Sequence, residues 1–283
     1  MPACHDQRVT DPEAVAAVAD MTDMTDRAAR VRAAARNNAE WCDTVCRAHG
    51  VEGDFSGGVW TSPRRTPPLY PDAVTLTDRP GTAAELLARI DLAAPGCSVK
   101  DSFACLDLAP AGFEVLFDAQ WIHRPAHAPD TPLIPGLTPT VSASVAPSTG
   151  RPAWDVVTAP GDLLAWAAAW GAGPGDCGPF RAELLADDST RFLRARSADG
   201  TVLAGAVATL GTTAVGLSNV FTTPEAAAAG TGPRDTWAGC VSAVTARWPG
   251  LPVVGYESGA DLEAAVANGF LPVGPLRVWW RRE

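Results

Sequence analysis

The stretch "SNVFTTPEAAAAGTG" at residues 218–232 decides how this chain is read. Four alanines followed by Gly-Thr-Gly admit two interpretations. One is a bland helix broken at its glycines. The other is a loop of small residues whose backbone amides cradle a phosphate. Downstream, Pro233 suits the first position of a helix running to Arg247, with Thr231 or Gly232 as its cap. Asp235 and Arg247 complement the dipole of that helix, and Trp237, Cys240, Val241 and Val244 share one face. On that face Cys240 reads as core packing. Upstream, "RFLRARSADGTVLAGAVATLGTTAVGLSNVFTTP" reads as three antiparallel strands with turns at "ADG" and "GTT".

Around this centre the segments alternate. "WDVV" is a short strand and "GDLLAWAAAWGAG" a helix with Trp166 and Trp170 as a packed stripe. After Arg247 come a strand "LPVVGYE", a short helix "GADLEAAVANGF" closed at Asn268-Gly269, and a last strand "LPVGPLRVWWRRE". Toward the N-terminus, "RAARVRAAARNNAEWCDTVCRAHG" (27–50) reads as one helix ended by Gly50. Residues 1–26 read as a polar, frayed tail. Residues 126–152, dense in Pro, Ser and Thr, read as a linker between folded regions 27–125 and 153–283.

The two regions resemble one another. "SFACLDLAPAGFEVLFDAQWIHRP" (102–125) aligns with "GADLEAAVANGFLPVGPLRVWWRR" (259–282), so that Gly112-Phe113 meets Gly269-Phe270. The strands before them also align, "CSVKDS" with "VGYESG". Only the second region carries Gly-x-Gly ahead of a helix. The first has "DRPGTAAELL", where Pro80 removes an N–H, so a ligand loop is expected in the second region alone.

Composition narrows the function. The 283 residues are 47% hydrophobic and carry a net charge of -10. Acidity argues against a phosphate backbone as partner and weakly favours cationic amines. No secretory signal opens the sequence and no apolar run could span a membrane. The seven cysteines therefore read as reduced thiols of a cytoplasmic protein. Cys42 and Cys46 lack a second ligand pair, and Pro125 breaks the helix that would align His123 with His127, so no metal is expected.

Residues 153–283 resemble the GCN5-related N-acetyltransferases (GNAT). "SNVFTTPEAAAAGTG" is similar to that family's strand four and pyrophosphate loop, with Asn219, Pro224, Glu225, Gly230 and Gly232 in register. The resemblance implies an α/β (α+β) fold in tandem, with a mixed, mostly antiparallel sheet flanked by helices and a degenerate first half. It implies acetyl-CoA or another acyl-CoA as donor, held by Asn219, Val220, Phe221 and Thr222 and by the amides of Ala228, Ala229, Gly230, Thr231 and Gly232. The loop's usual Arg or Gln is Ala227, the family's general-acid tyrosine is Ala265, and no carboxylate sits on "VGLSN". Glu257, at the end of the strand beside the donor, is the candidate base; Ser218, Ser258 and Tyr256 are weaker polar candidates. The aromatic strand of the first half places Trp121 and His123 on one face, where they would line an acceptor pocket.

Three functions fit. The first is acyl transfer to a small-molecule or protein amine. The second is a catalytically degenerate acyl-CoA-binding or regulatory module, favoured by the missing tyrosine. The third is aminoacyl transfer from charged tRNA, which the ten arginines against thirteen carboxylates of 151–283 do not favour.

Overall fold

In a computed structural model that describes residues 12–126, 153–173 and 175–282, with side chains from residue 24 onward, eleven strands form one sheet. The strands are β1 (Asp54–Ser56), β2 (Val59–Thr61), β3 (Ala73–Thr75), β4 (Cys97–Asp101), β5 (Glu114–Arg124), β6 (Ala153–Val156), β7 (Thr190–Arg196), β8 (Val202–Leu210), β9 (Val215–Thr222), β10 (Val253–Glu257) and β11 (Leu271–Arg281). Their spatial order is β1-β2-β3-β4-β11-β5-β10-β9-β8-β7-β6. β3–β4 and β9–β10 are parallel; every other pairing is antiparallel.

Helices cover both faces. One face packs against α1 (Pro12–Ala48) and α3 (Pro160–Trp170). The other packs against α2 (Thr82–Leu87), α5 (Pro233–Arg247) and α6 (Gly259–Ala267), while α4 (Pro224–Ala228) precedes α5. In α1, Val31, Ala34, Ala35, Trp41, Cys42 and Val45 are buried at helical spacing. The small residues let α1 lie close on the sheet: a Cβ at Gly216 would stand 1.8 Å from Asn37 Oδ1. Asn37 Nδ2 in turn donates to the Thr209 carbonyl at 3.2 Å.

Several expectations meet the structure directly. The three-strand meander, α3, α5, α6 and the last strand lie where the sequence places them. Trp166 and Cys240 are fully buried, as are Cys42 and Cys46, so these residues pack. The first helix is longer than expected: it begins at Pro12, inside the segment read as a frayed tail, and stops at Ala48 before Gly50 at φ 72°. Alanine-rich sequence carries helix well beyond the amphipathic stripe. Residues 1–11, the linker 127–152 and His127 lie outside the described residues.

The aligned segments share geometry down to single hydrogen bonds. Gly112 and Gly269 are both left-handed, at φ 81° and 87°. The Phe113 N–H donates to the Leu108 carbonyl, and the Phe270 N–H donates to the Ala265 carbonyl, the aligned position. β5 and β11 pair with each other, and Ala119 faces Leu276, its own counterpart in the alignment. Each region thus hands its last strand to the other: β11 pairs with β4, and β5 with β10. The sheet is continuous through residues 27–125 and 153–283 rather than split between them.

Candidate active site

β9 and β10 begin side by side and then separate. Their parallel pairing covers only Val253–Val215 and Val254–Gly216. Two local features mark where they part. At Gly255 the strands touch so closely that a Cβ would meet the Leu217 carbonyl at 2.6 Å. Beyond it β9 bulges: its register with β8 slips between Ser218 and Phe221, and Asn219 adopts φ 53°. Asparagine tolerates the left-handed region better than most residues. The bulge bends β9 away and leaves its edge toward β10 without a strand partner.

A cavity of about 210 Å³ opens at this fork. It is lined by Ser218, Asn219 and Val220 of β9, Tyr256 and Glu257 of β10, Asn38 and Trp41 of α1, Lys100 of β4, and Leu69 and Tyr70. Burial, and then the nearby Asp261 carboxylate, push the Glu257 carboxyl up to about 8. Burial likewise holds the Tyr70 phenol well above its ordinary value, so it stays protonated. The Ser218 hydroxyl is buried with no hydrogen-bond partner among the described residues, and the Tyr70 hydroxyl has only the Trp41 side chain beside it.

The opening stretch begins as a short helix and ends in a turn. Pro224–Ala228 is a short helix whose N-cap, Thr223, accepts from the Ala226 N–H at 3.3 Å. Ala229–Gly232 then turn into α5, with Gly230 at φ 90° and Gly232 as its N-cap. The amides expected to face a phosphate are largely committed elsewhere. The Ala229, Gly230 and Thr231 N–H groups donate back to carbonyls of α4, and the Gly232 N–H reaches the Asp235 carboxylate at 3.4 Å. The Arg234 N–H has no backbone partner among the described residues. Beside the turn lies a cleft of about 600 Å³, lined by Ala229, Gly230, Thr231, Thr236, Gly239 and Trp154 among others. Small residues on that face of α5 keep it open.

Glu257, Ser218, Tyr256, Asn219 and Val220 therefore meet in one cavity, and Ala229, Gly230 and Thr231 line a second. Ala228 ends α4 and Gly232 caps α5, and neither lines the cleft. Phe221 is spent on packing against Trp166, 5.2 Å away, and Thr222 Oγ1 bonds Thr236 Oγ1 at 2.7 Å. Ser258 is exposed at the start of α6 and stands outside the cavity. Trp121 and His123 do not line it either. Trp121 is fully buried, donates to the Ser102 carbonyl at 2.9 Å and stacks edge-on against Tyr256. His123 is half-buried, and burial followed by Arg30 lowers its pKa. Val31, Ala34 and Ala35 of α1 pack over Trp121 in one buried cluster. Sequence reasoning missed Asn38, Trp41, Tyr70 and Lys100, which arrive from the first region. One signal was available: Lys100 is the only lysine in the chain.

The strand order, the fork between β9 and β10 and the turn opening α5 decide the fold. It is that of the GCN5-related N-acetyltransferases. The structure is similar to a GCN5-related N-acetyltransferase from Kribbella flavida, with a TM-score of 0.54 and 17% identity over 88% of this chain and 95% of that one. It is similar also to an acetyltransferase assigned to the GNAT family from Novosphingobium aromaticivorans, with a TM-score of 0.51 and 15% identity over 88% of this chain and 99% of that one. Both correspondences extend well beyond residues 153–283, so the likeness in fold includes part of the first region. No protein-family model matches the sequence, and no curated protein matches it.

Proposed function

We propose that this protein is an acyl-CoA-dependent N-acyltransferase, with acetyl-CoA as the default donor and a small-molecule amine as acceptor. The observation that carries the reading is the fork: an unpaired β9 edge and a small polar cavity meet where β9 and β10 part. The unpaired edge suits the amides of a pantetheine arm, and the cleft beside α5 suits the rest of the donor. The phosphate end fits less fully. At the turn beside the cleft the Arg234 N–H lacks a backbone partner and the Gly232 N–H is loosely held, but neither residue lines the cleft, and Asp235, which does, opposes an anion.

Acyl-CoA supplies an activated carbonyl. Glu257, ionised, takes the proton from the acceptor amine, and a backbone N–H near Val220 or Phe221 steadies developing oxyanion charge. The cavity walls orient the amine. The chain is read as a tandem duplication whose first half gives up the donor loop and keeps a wall of the acceptor cavity. The unpaired thiols of Cys42, Cys46, Cys97 and Cys240 support a reducing, cytoplasmic setting. Among the described residues no helix is long and apolar enough to cross a membrane.

A second reading, an acyl-CoA-binding module without turnover, is favoured by the inward-closed amides and by Ala265, which lies fully buried where the family carries a tyrosine. Calorimetric titration of acetyl-CoA, together with thiol release in the presence of an amine panel, separates the two. Binding with turnover supports the enzyme, and binding without turnover supports the module. No binding by wild type at millimolar acetyl-CoA overturns both.

A further inference from the structure

Lys100 is the only lysine of the chain, and it is 7% exposed. It stands in the cavity wall with Nζ 4.5 Å over the Tyr256 ring and 3.0 Å from Asn38 Oδ1, to which it donates. Among the described residues no carboxylate is within ion-pair distance of it, although the chain offers acidic side chains in excess. A buried ammonium without a counter-ion costs several kcal/mol, and a ring face with one amide oxygen offsets only part of that. Besides the bond to Asn38 it interacts with the Tyr256 side chain, which leaves a proton to donate. The Ser218 hydroxyl in the same cavity is buried without a partner among the described residues, and the buried Tyr70 hydroxyl has only the Trp41 side chain beside it. One cation and two hydroxyls around a cavity of about 210 Å³ complement a small anion.

The opposite requirement comes from the reaction. A plain alkylamine arrives as a cation, and Lys100 repels it in a poorly screened site. An acceptor carrying its own anion is neutral overall and satisfies both ends. A second hollow, about 310 Å³ in volume, adjoins the first and shares Leu69, Tyr70, Lys100 and Tyr256 with it. Its further lining is mostly apolar, including Leu116, Phe117 and Trp280, with Arg65, Thr66 and Ser98 as its polar members.

We propose that the acceptor is an apolar α-amino acid, with its carboxylate on Lys100, Tyr70 and Ser218, its side chain in the hollow of Leu116, Phe117 and Trp280, and its amine toward Glu257. This rests on the acyltransferase reading for the fate of the amine. There the nitrogen bonds to the acyl carbon as the carbon–sulfur bond breaks. Before attack the ammonium gives one proton to Glu257; sulfur then leaves with the electron pair and takes up the second proton released by the acylated nitrogen, giving an N-acyl amino acid, a thiol and protonated Glu257.

The test begins with binding, without acyl-CoA. Quenching of Trp41, which lines the cavity, and thermal shift are followed with L-phenylalanine, L-leucine, phenethylamine and 3-phenylpropanoate. Wild type is expected to bind phenylalanine at least roughly tenfold more tightly than phenethylamine, and Lys100→Met to lose that preference. The ligand series on wild type stands by itself if the variant does not fold. Phenethylamine binding as well as phenylalanine, or no amino-acid response up to about 10 mM, overturns the proposal. Thiol release then separates the two layers. Turnover of amines but not amino acids keeps the acyltransferase and sinks this substrate class. Lys100-dependent amino-acid binding with no turnover of any acceptor keeps the site and sinks the acyltransferase.

Discussion

Glu257 and Lys100 face the same cavity and are governed by the same cost, that of holding charge away from water. The carboxyl meets that cost by keeping its proton up to about pH 8; the ammonium meets it with a ring and an amide oxygen. As the base, Glu257 must be ionised, so the rate of acyl transfer should rise with pH and level off above about 8. Glu257→Gln should lower the rate by roughly 10²–10⁴-fold and flatten that profile, as measured by thiol release. Stability carries the opposite sign. The folded pKa is raised above the unfolded 4.5, so the native state binds the extra proton between 4.5 and about 8, and stability falls as pH rises across that window. Glu257→Gln should remove this slope and be more stable than wild type at pH 9 by about 1–3 kcal/mol in urea unfolding. At the donor loop, Asp235 contributes negative charge where phosphates would sit. Asp235→Asn should tighten acetyl-CoA binding by about 0.5–1 kcal/mol in calorimetry, and a weakened affinity would show that the cleft beside α5 is not the phosphate site.

At the scale of elements, the fork depends on two backbones approaching and then parting. Gly255 allows the approach, because any Cβ there runs into the Leu217 carbonyl, which belongs to a strand and cannot swing aside. Gly255→Ala should cost about 1–3 kcal/mol and speed amide exchange along β9 and β10, as read by hydrogen exchange. A melting temperature equal to wild type would mean the fork is looser than described. The elements themselves were legible: periodicity marks β7–β11, Pro233 marks the start of α5, and Asn268-Gly269 marks the end of α6. The loop's chemistry was not. Small residues after Thr222 announced a turn with free amides, but whether an amide is free depends on which carbonyl the turn brings beneath it. Here α4 supplies those carbonyls.

Across the whole molecule, the exchange of β5 and β11 makes each region complete only with the other's last strand. Neither can lose its partner without opening a long antiparallel ladder, which would expose two sheet edges. Denaturant unfolding followed by tryptophan fluorescence and by far-ultraviolet circular dichroism should therefore give one coincident transition. Two separated transitions would mean that the regions are independent despite the shared sheet. The repeat that foretold this was faint in sequence, resting on Gly-Phe and a strand on either side. It was readable because a left-handed residue before a buried ring tolerates little else. By itself, then, the sequence determined the elements, their order, the apolar faces and the likeness of segments 102–125 and 259–282, since each rests on local periodicity and backbone preference. Only the tertiary structure decided which side chains meet. Lys100, Tyr70 and Asn38 lie more than a hundred residues from Glu257 in the chain, and they reach its cavity because α1 and β4 pack beside β10's partners. Long-range contacts of that kind leave no period in the sequence. Burial, with the shifted carboxyl and the unpaired ammonium that follow from it, exists only once they form.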